Sequence, residues 1–197
     1  IYLRKNIKSS KTRYQKINMN FKQFYLTEMP EMTNFDTDHE DIVRKCKQYE
    51  EQSRFTDDTD SYKHYDFYLN KFKSHHGMVL LIECAREKEY IGYIKFNPFY
   101  KIDKSIQIQM TEISEDHQGL GIATAAYEYL LTKFDAIVSD EEISDGTEAL
   151  YEKLGKKYKK MIYTIREGLE DIDFTSDEFK KKNYDDKKIF LVLKNKN

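Results

Sequence analysis

The sequence predicts an α+β fold that combines a mostly antiparallel sheet with helices, and three observations predict it. Three strand-like segments follow one another with short connections, helix-like segments precede and follow them, and 39% of the 197 residues are hydrophobic. With 16 Tyr and 12 Phe the chain has enough apolar surface to bury, which excludes a disordered protein. Because the length is that of one domain, we expect residues 21–197 to form a single domain.

Charge and cysteine content exclude several classes of protein. The 33 basic residues nearly balance the 35 acidic ones, and the net charge of −2 gives no general attraction to nucleic acid or anionic membranes. Two cysteines, Cys46 and Cys84, are too few for a disulfide scaffold, and the histidines lack the spacing of a metal site. We therefore expect no metal and no membrane, and the charge does not favour a nucleic-acid partner.

Residues 1–20 are a basic segment that contains no acidic residue. They form either a solvated tail or first strand, or an arm that binds an acidic partner such as a nucleic acid. The longest apolar run, residues 78–82, is far shorter than the ~20 residues that a membrane helix needs. No apolar signal segment stands at the N-terminus, so a cytoplasmic location is the default expectation.

The first half of the chain is predicted to hold one strand and two helices. Residues 21–26 have the pattern of a strand. Asp38 stands as a cap before an apolar stripe that predicts a helix over residues 38–52. The aromatic side chains of residues 60–72 predict a second helix. Its apolar face has three open roles: core, lining of a substrate pocket, or contact between two copies in a homodimer.

Three strands follow, over residues 78–84, 89–96 and 105–113. Their short connections predict an antiparallel meander. The third strand alternates, with Ile106, Ile108 and Met110 on one face and Gln107, Gln109 and Thr111 on the other.

The last third of the chain is predicted to contain helices over residues 121–134 and 145–155, and strands over residues 136–139, 161–165 and 189–193. Asp145 and Glu148 fit a capping box, and Gly155 fits the end of the second helix. The charged residues 167–188 predict a weak helix or a long loop.

A glycine-rich turn carries the strongest chemical signal. The chain has only 7 glycines, and Gly119 and Gly121 stand directly between a predicted strand and a predicted helix. Glycine allows a tight turn close to a ligand, and the first amides of a helix lack internal partners and attract anions. The turn is therefore either a phosphate site or a simple connection.

Two other phosphate-binding folds fit this turn poorly. A P-loop requires Lys and then Ser or Thr after the second glycine, where Ile122 and Ala123 stand. A dinucleotide-binding unit requires Gly or Ala in place of Thr124 and a continuously apolar parallel strand before it. Asp140 stands far enough after the turn to be the acidic residue of that unit. However, the strand before the turn alternates polar and apolar residues, and no helix separates it from the strands that precede it.

Residues 113–123, which read Ile-Ser-Glu-Asp-His-Gln-Gly-Leu-Gly-Ile-Ala, resemble the acetyl-CoA-binding motif of the GNAT superfamily of N-acetyltransferases. Ile113 holds the Val position of that motif, His117 the aromatic position and Gln118 the Arg or Gln position, whereas Glu115 replaces the usual Pro.

A second family motif follows at residues 144–155. Tyr151, Leu154 and Gly155 match it, while Ser144 and Thr147 replace the family's Asn and Ala. The two motifs stand in the family's order, and the predicted elements from about residue 21 onward follow its layout.

The resemblance implies the GNAT fold, a mixed, mostly antiparallel sheet splayed at the central strands and flanked by helices. Acetyl-CoA would lie in the gap between the strand ending at Ile113 and the strand of residues 136–139, with its pyrophosphate on the amides after Gln118. It would contact these residues: Ile113, Ser114, Gln118, Gly119, Leu120, Gly121, Ile122, Ala123, Thr124 and Ser144. Lys153, Lys156, Lys157 and Lys159 form either a solvated face or a 3′-phosphate contact.

The implied activity is transfer of an acetyl group to a primary amine, of a small cation or of a protein lysine or N-terminus, by direct attack. The amine must first lose a proton, and the candidate bases are Glu112, Asp140, Glu141 and Glu142. Tyr151 matches the family's proton donor to the departing thiolate. The acidic residues 139–145 would attract a cationic acceptor. Two alternatives stay open: a different acyl group, or a degenerate member that is a binding or regulatory module without catalysis.

Overall fold

The computed structural model describes residues 38–140, 144–171 and 189–196, all within one compact unit, Thr37–Asn197. The described helices are α1 (His39–Gln52), α2 (Ile122–Lys133) and α3 (Asp145–Leu154). The described strands are β1 (Ser53–Tyr62), β2 (Tyr65–Phe72), β3 (Met78–Cys84), β4 (Glu89–Pro98), β5 (Ser105–Ile113), β6 (Ala136–Val138), β7 (Lys159–Thr164), β8 (Gly168–Glu170) and β9 (Ile189–Lys194). The basic segment 1–20, the predicted strand 21–26 and most of residues 167–188 lie outside the described residues.

The nine described strands form a single sheet in the order β1-β2-β3-β4-β5-β6-β9-β7-β8. Neighbouring strands are antiparallel except for β5 and β6, which are parallel. This arrangement confirms the predicted α+β class, the mixed and mostly antiparallel sheet, and the meander of β3, β4 and β5. Among the described helices, none is long and apolar enough to cross a membrane.

Helices cover both faces of the sheet. On one face, α1 packs Ile42 and Cys46 against Val79 of β3 and Tyr93 of β4. The side chain of Asp38 caps α1 by accepting a hydrogen bond from the Glu40 amide at 3.3 Å, as predicted. On the other face, α2 and α3 pack against the main core. The glycine-rich turn before α2 is thus placed on the face opposite α1.

The start of α3 differs from the predicted capping box. Ser144, rather than Asp145, is the N-cap, because its hydroxyl oxygen accepts a hydrogen bond from the Thr147 amide at 3.3 Å. Asp145 is therefore the first residue of the helix rather than its cap, and the helix ends at Gly155 as predicted.

Residues 60–72, predicted as a second helix, instead form most of an antiparallel hairpin of β1 and β2, so that prediction was wrong. The turn of the hairpin contains Lys63 at φ 58°. Tyr65, Phe67 and Leu69 are buried at every second position, which is the period of a strand. Aromatic side chains occur on both faces of this segment, and they hid the two-residue period.

A β-bulge interrupts β5 at Gln109. Ile108 and Met110 lie opposite two successive residues of β4, Phe96 and Lys95, which leaves Gln109 as an extra residue on β5. A bulge of this kind bends the strand and shifts the side-chain alternation by one residue.

The predicted alternation of β5 is therefore correct only as far as Ile108. Beyond the bulge it was wrong: Met110 leaves the apolar face, is 39% exposed and accepts a hydrogen bond from the Tyr93 hydroxyl on the α1 side. Thr111 moves to the α2 side, where its Oγ1 lies 3.2 Å from Tyr127 Oη. The bulge thus decides which side chains of β5 face the helices.

Candidate functional site

A gap opens in the sheet between β5 and β6. The two strands pair only where Ser105, Ile106 and Gln107 lie opposite residues 136–138. After Val138 the chain stays with β9, because the Ser139 amide donates to Leu191 O at 2.8 Å. Residues 108–113 of β5 therefore have no strand partner on that side within the described part of the chain, as the predicted splay requires.

Two adjoining cavities occupy this gap and the space beside α2, and we call them together the interstrand cleft. The larger measures about 320 Å³ and is lined by Thr111, Ile113, His117, Gln118, Gly119, Ile122, Ala123, Tyr127, Ser144, Gly146, Thr147 and Leu150. The smaller measures about 140 Å³ and is lined by Ile108, Gln109, Met110, Thr111, Tyr127, Ser139, Asp140, Ser144 and Thr147. Four residues line both cavities, which makes the cleft continuous along the unpaired half of β5.

The glycine-rich turn forms one end of the cleft. Gly119 and Gly121 have φ values of 72° and 85°, the left-handed region that glycine adopts without strain. The first hydrogen bond inside α2 runs from the Ala125 amide to Gly121 O at 3.0 Å. The earlier amides of α2, including those of Ile122 and Ala123 that line the cleft, have no partner within the helix. They form an electropositive end suited to an anion.

Two lysines stand beside this turn. Lys63, from the β1–β2 turn, donates to Leu120 O at 3.3 Å, and Lys153 of α3 donates to Thr124 Oγ1 at 3.2 Å. Lys157 and Lys159 are engaged elsewhere, in ion pairs with Glu128 and Asp171. Lys63 and Lys153 add positive charge where the helix amides already favour an anion.

Six of the ten predicted cofactor-binding residues line the interstrand cleft: Ile113, Gln118, Gly119, Ile122, Ala123 and Ser144. Gln118 fixes the turn to β5, because its side-chain amide donates to Ile113 O at 2.9 Å. Ser114, Leu120, Gly121 and Thr124 do not line either cavity. Ser114 is fully buried, and its hydroxyl lies 2.9 Å from His117 Nδ1.

The structure separates the candidate bases. Glu112 points to the α1 face, where it is 8% exposed and lies 3.0 Å from Lys45 Nζ. Burial lowers the pKa of Lys45, but hydrogen bonds to Asp41 and Glu112 outweigh this effect and raise it overall. Asp140 follows β6 and lines the smaller cavity, the only carboxylate of the described residues to line the cleft. Glu141 and Glu142 lie outside the described residues.

Two buried tyrosines lie beside the cleft. Tyr127 lines both cavities, and burial raises its pKa to about 12. Tyr151, the predicted proton donor, lies behind it, with the two ring centroids 6.1 Å apart in an edge-to-face contact. Tyr151 is fully buried, burial raises its pKa well above the ordinary value, and its hydroxyl has no hydrogen-bond partner among the described residues.

Sequence reasoning missed several residues of the cleft. Thr111 and Tyr127 form its wall, and Gly146, Thr147 and Leu150 complete it from α3. A signal for Tyr127 existed, because it stands four residues after Ala123 on the same face of α2. Thr111 had no such signal, since its orientation depends on the bulge at Gln109.

A cluster of three metal-ligating residue types also occurs near the turn. One ligand atom from each of Cys84, Glu87 and His117 lies within 4.8 Å of the others. These residues come from separate elements, and the sequence spacing could not reveal them. The expectation that no metal binds stays a prediction.

Comparison with known protein families finds a match over most of the described residues. The profile of the Acetyltransferase (GNAT) family matches residues 39–155, more than half of the chain. No curated protein matches the sequence. Among solved structures, the chain is similar to an acetyltransferase from Thermus thermophilus, with 14% identity over 61% of this chain and 65% of that chain and a TM-score of 0.40.

Two further solved structures are similar to this chain. IAA acetyltransferase from Bacillus cereus is 17% identical over 60% of this chain and 78% of its own, with a TM-score of 0.35. Diaminobutyrate acetyltransferase EctA from Paenibacillus lautus, in complex with L-2,4-diaminobutyric acid and coenzyme A, is 14% identical over 59% of this chain and 69% of its own, with a TM-score of 0.38. The chain spans 65% of the length of the Thermus thermophilus protein.

Proposed function

Since the chain belongs to the GNAT acetyltransferase family, we propose that it transfers an acetyl group from acetyl-CoA to a primary amine. The observation that carries this proposal is the interstrand cleft, which runs from the anion-attracting turn along the unpaired half of β5. A thioester with a long, polar arm and a diphosphate requires both features in one continuous site.

The residues at the turn fit the diphosphate of acetyl-CoA. The amides of residues 122–124 at the start of α2 would donate to its oxygens, and Lys63 and Lys153 lie close enough to the turn to pair with the same charge. The pantetheine arm would follow residues 108–113, whose backbone groups face the cleft instead of another strand. A backbone N–H near Ile113 would polarise the acyl carbonyl and stabilise the charge that develops on its oxygen.

In the proposed reaction the amine nitrogen attacks the thioester carbon directly. The acceptor ammonium first loses a proton to a base and becomes a neutral amine, which has the lone pair needed for attack. The C–N bond then forms as the C–S bond breaks, and the nitrogen loses a second proton, which balances the proton that the departing thiolate takes up. We assign this base to Asp140, because it lines the smaller cavity while Glu112 is held in an ion pair on the opposite face. A carboxylate at the cleft also favours a cationic acceptor, either a small molecule or a protein lysine or N-terminus.

The departing thiolate takes up one proton. Tyr151 is the donor that the family resemblance implies, and its hydroxyl proton is not committed to another described residue. Tyr127 is a second candidate, because it lines both cavities and stands between Tyr151 and the cleft. For both residues burial raises the pKa, so each carries its proton at neutral pH.

Calorimetry with acetyl-CoA tests the first step of this proposal. We expect saturable binding that weakens about tenfold in Lys153→Ala, and that stays unchanged in the control Lys156→Ala. Turnover with a panel of primary amines, measured as free thiol, is expected only in the presence of both substrates. Heat of binding without any turnover would support the non-catalytic module instead, and the absence of heat would overturn both.

A further inference from the structure

A third cavity lies away from the interstrand cleft, beside α1 on the outer strands of the sheet. It measures about 470 Å³, more than either part of the cleft, and is lined by Glu50, Phe55, Thr59, Tyr68, Asn70, Glu83 and Tyr90. None of these residues lines the cleft. We call it the β1–β4 cavity, after the four strands that supply most of its wall.

The β1–β4 cavity is acidic, and each of its carboxylates has a tyrosine beside it. Glu50 and Glu83 line it, whereas no lysine or arginine of the described residues does. Burial raises the pKa of Tyr68 to about 12, and the neighbouring Glu83 carboxylate adds to this rise. Burial likewise raises the pKa of Tyr90, and the neighbouring Glu50 carboxylate adds to the rise. Each carboxylate thus lies near a tyrosine hydroxyl and has acceptor capacity left for a ligand in the cavity.

Asn70 places an unpaired acceptor in the same wall. Its side chain is 4% exposed, and its Nδ2 donates to Ser53 Oγ at 3.0 Å. The other side-chain atom, Oδ1, is buried and has no hydrogen-bond partner among the described residues. Since a buried acceptor without a donor costs free energy, this oxygen favours a ligand that brings an N–H group.

Aromatic rings complete the wall. Phe55 is 48% exposed, and its ring lies 6.2 Å from that of Tyr68 in an edge-to-face contact. The pairing of β1 with β2 is irregular between Phe55 and Thr59, so two lining residues of β1 flank an interruption in the hairpin. Ring faces beside carboxylates attract organic cations through both the π-system and the charge.

We propose that the β1–β4 cavity binds a small alkyl diamine at a site separate from the interstrand cleft. The two carboxylates of the cavity match the two ammonium groups of a diamine. The aromatic rings match its alkyl chain and attract the ammonium groups beside them. Asn70 Oδ1 accepts a hydrogen bond from an ammonium N–H. This last contact selects a primary ammonium over a quaternary one, which has no N–H to donate. The cavity is therefore a second amine site, and it holds no part of the acetyl-transfer chemistry.

Titration calorimetry of the full chain with 1,4-diaminobutane, without acetyl-CoA, tests this proposal. We expect saturable binding, no comparable binding of tetramethylammonium, and affinity that falls about tenfold in Glu83→Gln and in Asn70→Leu. The matched control Glu128→Gln removes a partly exposed carboxylate on α2, which pairs with Lys157, and should leave the affinity unchanged. Asn70→Leu removes both the unpaired oxygen and the hydrogen bond to Ser53, which have opposite effects on stability. Its melting temperature is therefore measured too, and affinity is compared at a temperature where the variant is folded, which separates lost binding from lost folding.

The location of the bound diamine decides the remaining outcomes. Asp140→Asn alters the interstrand cleft, where the proposed acceptor lies, and should leave unchanged the part of diamine binding that Glu83→Gln weakens. Affinity that falls in Asp140→Asn but not in Glu83→Gln would place the diamine in the cleft and overturn the proposal. Equal binding of tetramethylammonium, or no saturable heat with 1,4-diaminobutane, would overturn it as well.

Discussion

Residues 105–107 of β5 have a strand on each side, whereas residues 108–113 have β4 on one side and the interstrand cleft on the other. The first part belongs to the main core, where Ile106 is 1% exposed and lies on the sheet face that α2 and α3 cover. The second part contains the bulge at Gln109 and presents Thr111 and Ile113 to the cleft. One strand thus supplies core packing at its start and a wall of the interstrand cleft at its end.

Two features of the backbone, the departure of β6 and the bulge in β5, shape the cleft. The gap requires that β6 leave β5 after Val138, and the hydrogen bonds of Ser139 with Leu191 hold it on β9. The bulge then turns Thr111 toward Tyr127 and Glu112 toward Lys45. Stability and function should therefore respond to different substitutions along the same strand.

The largest expected effect is on stability, in the paired part of β5. Ile106→Ala should lower the free energy of unfolding by about 2–5 kcal/mol, because it leaves a cavity in a close-packed core. Thr111→Val in the unpaired part should change it by about 1 kcal/mol or less. Urea unfolding of both variants measures the difference, and equal losses would contradict the division of the strand.

The next effect is on catalysis and concerns the two carboxylates. Asp140→Asn should lower kcat about 100-fold by removing the proposed base, with little change in the free energy of unfolding. Glu112→Gln should instead lower stability by about 1–3 kcal/mol, since it breaks the pair with Lys45, and should retain most of kcat. The reverse pattern would transfer the role of base to Glu112.

A smaller effect is expected at the glycine-rich turn. Gly121→Ala should weaken acetyl-CoA binding about tenfold, because a left-handed backbone with a Cβ costs about 1–2 kcal/mol and this Cβ would lie 3.2 Å from the Tyr62 hydroxyl. Gly168→Ala is the matched control, because Gly168 has a φ of 81° and is not part of the cleft. A Cβ added at Gly168 would have no described atom within 4 Å. Equal loss of acetyl-CoA affinity in both variants would show that the turn has no special role.

The smallest expected change concerns stability at Tyr151. Tyr151→Phe should leave the free energy of unfolding unchanged or raise it by about 1 kcal/mol, because it removes a buried hydroxyl that has no partner among the described residues. The same variant should lower kcat about tenfold if Tyr151 protonates the thiolate. Tyr127→Phe is measured beside it. A fall of kcat in Tyr127→Phe alone would assign the proton to Tyr127.

Sequence patterns within single segments correctly predicted several elements of the fold. The meander, the helix after Gly121 and the helix that ends at Gly155 follow from alternation, helical spacing and glycine positions. The hairpin of β1 and β2 was missed, because Tyr68 and Phe72 on one face and Tyr65 and Phe67 on the other give no clear period.

The composition of the cleft depends on contacts that a local pattern does not contain. No glycine or proline marks the bulge at Gln109, which is set by the pairing of β5 with β4. The position of Tyr127 in front of Tyr151 depends on how α2 and α3 pack. The motif residues of the turn could therefore be predicted, whereas Thr111, Tyr127 and the orientation of Glu112 could not.

Hydrogen–deuterium exchange with and without acetyl-CoA tests the central claim most directly. If the cleft holds the acyl arm and the diphosphate, acetyl-CoA should slow exchange in peptides that cover residues 108–113 and 118–124, while residues 105–107 should exchange equally slowly in both states. Unchanged exchange over residues 108–124 at a saturating concentration of acetyl-CoA would contradict the account.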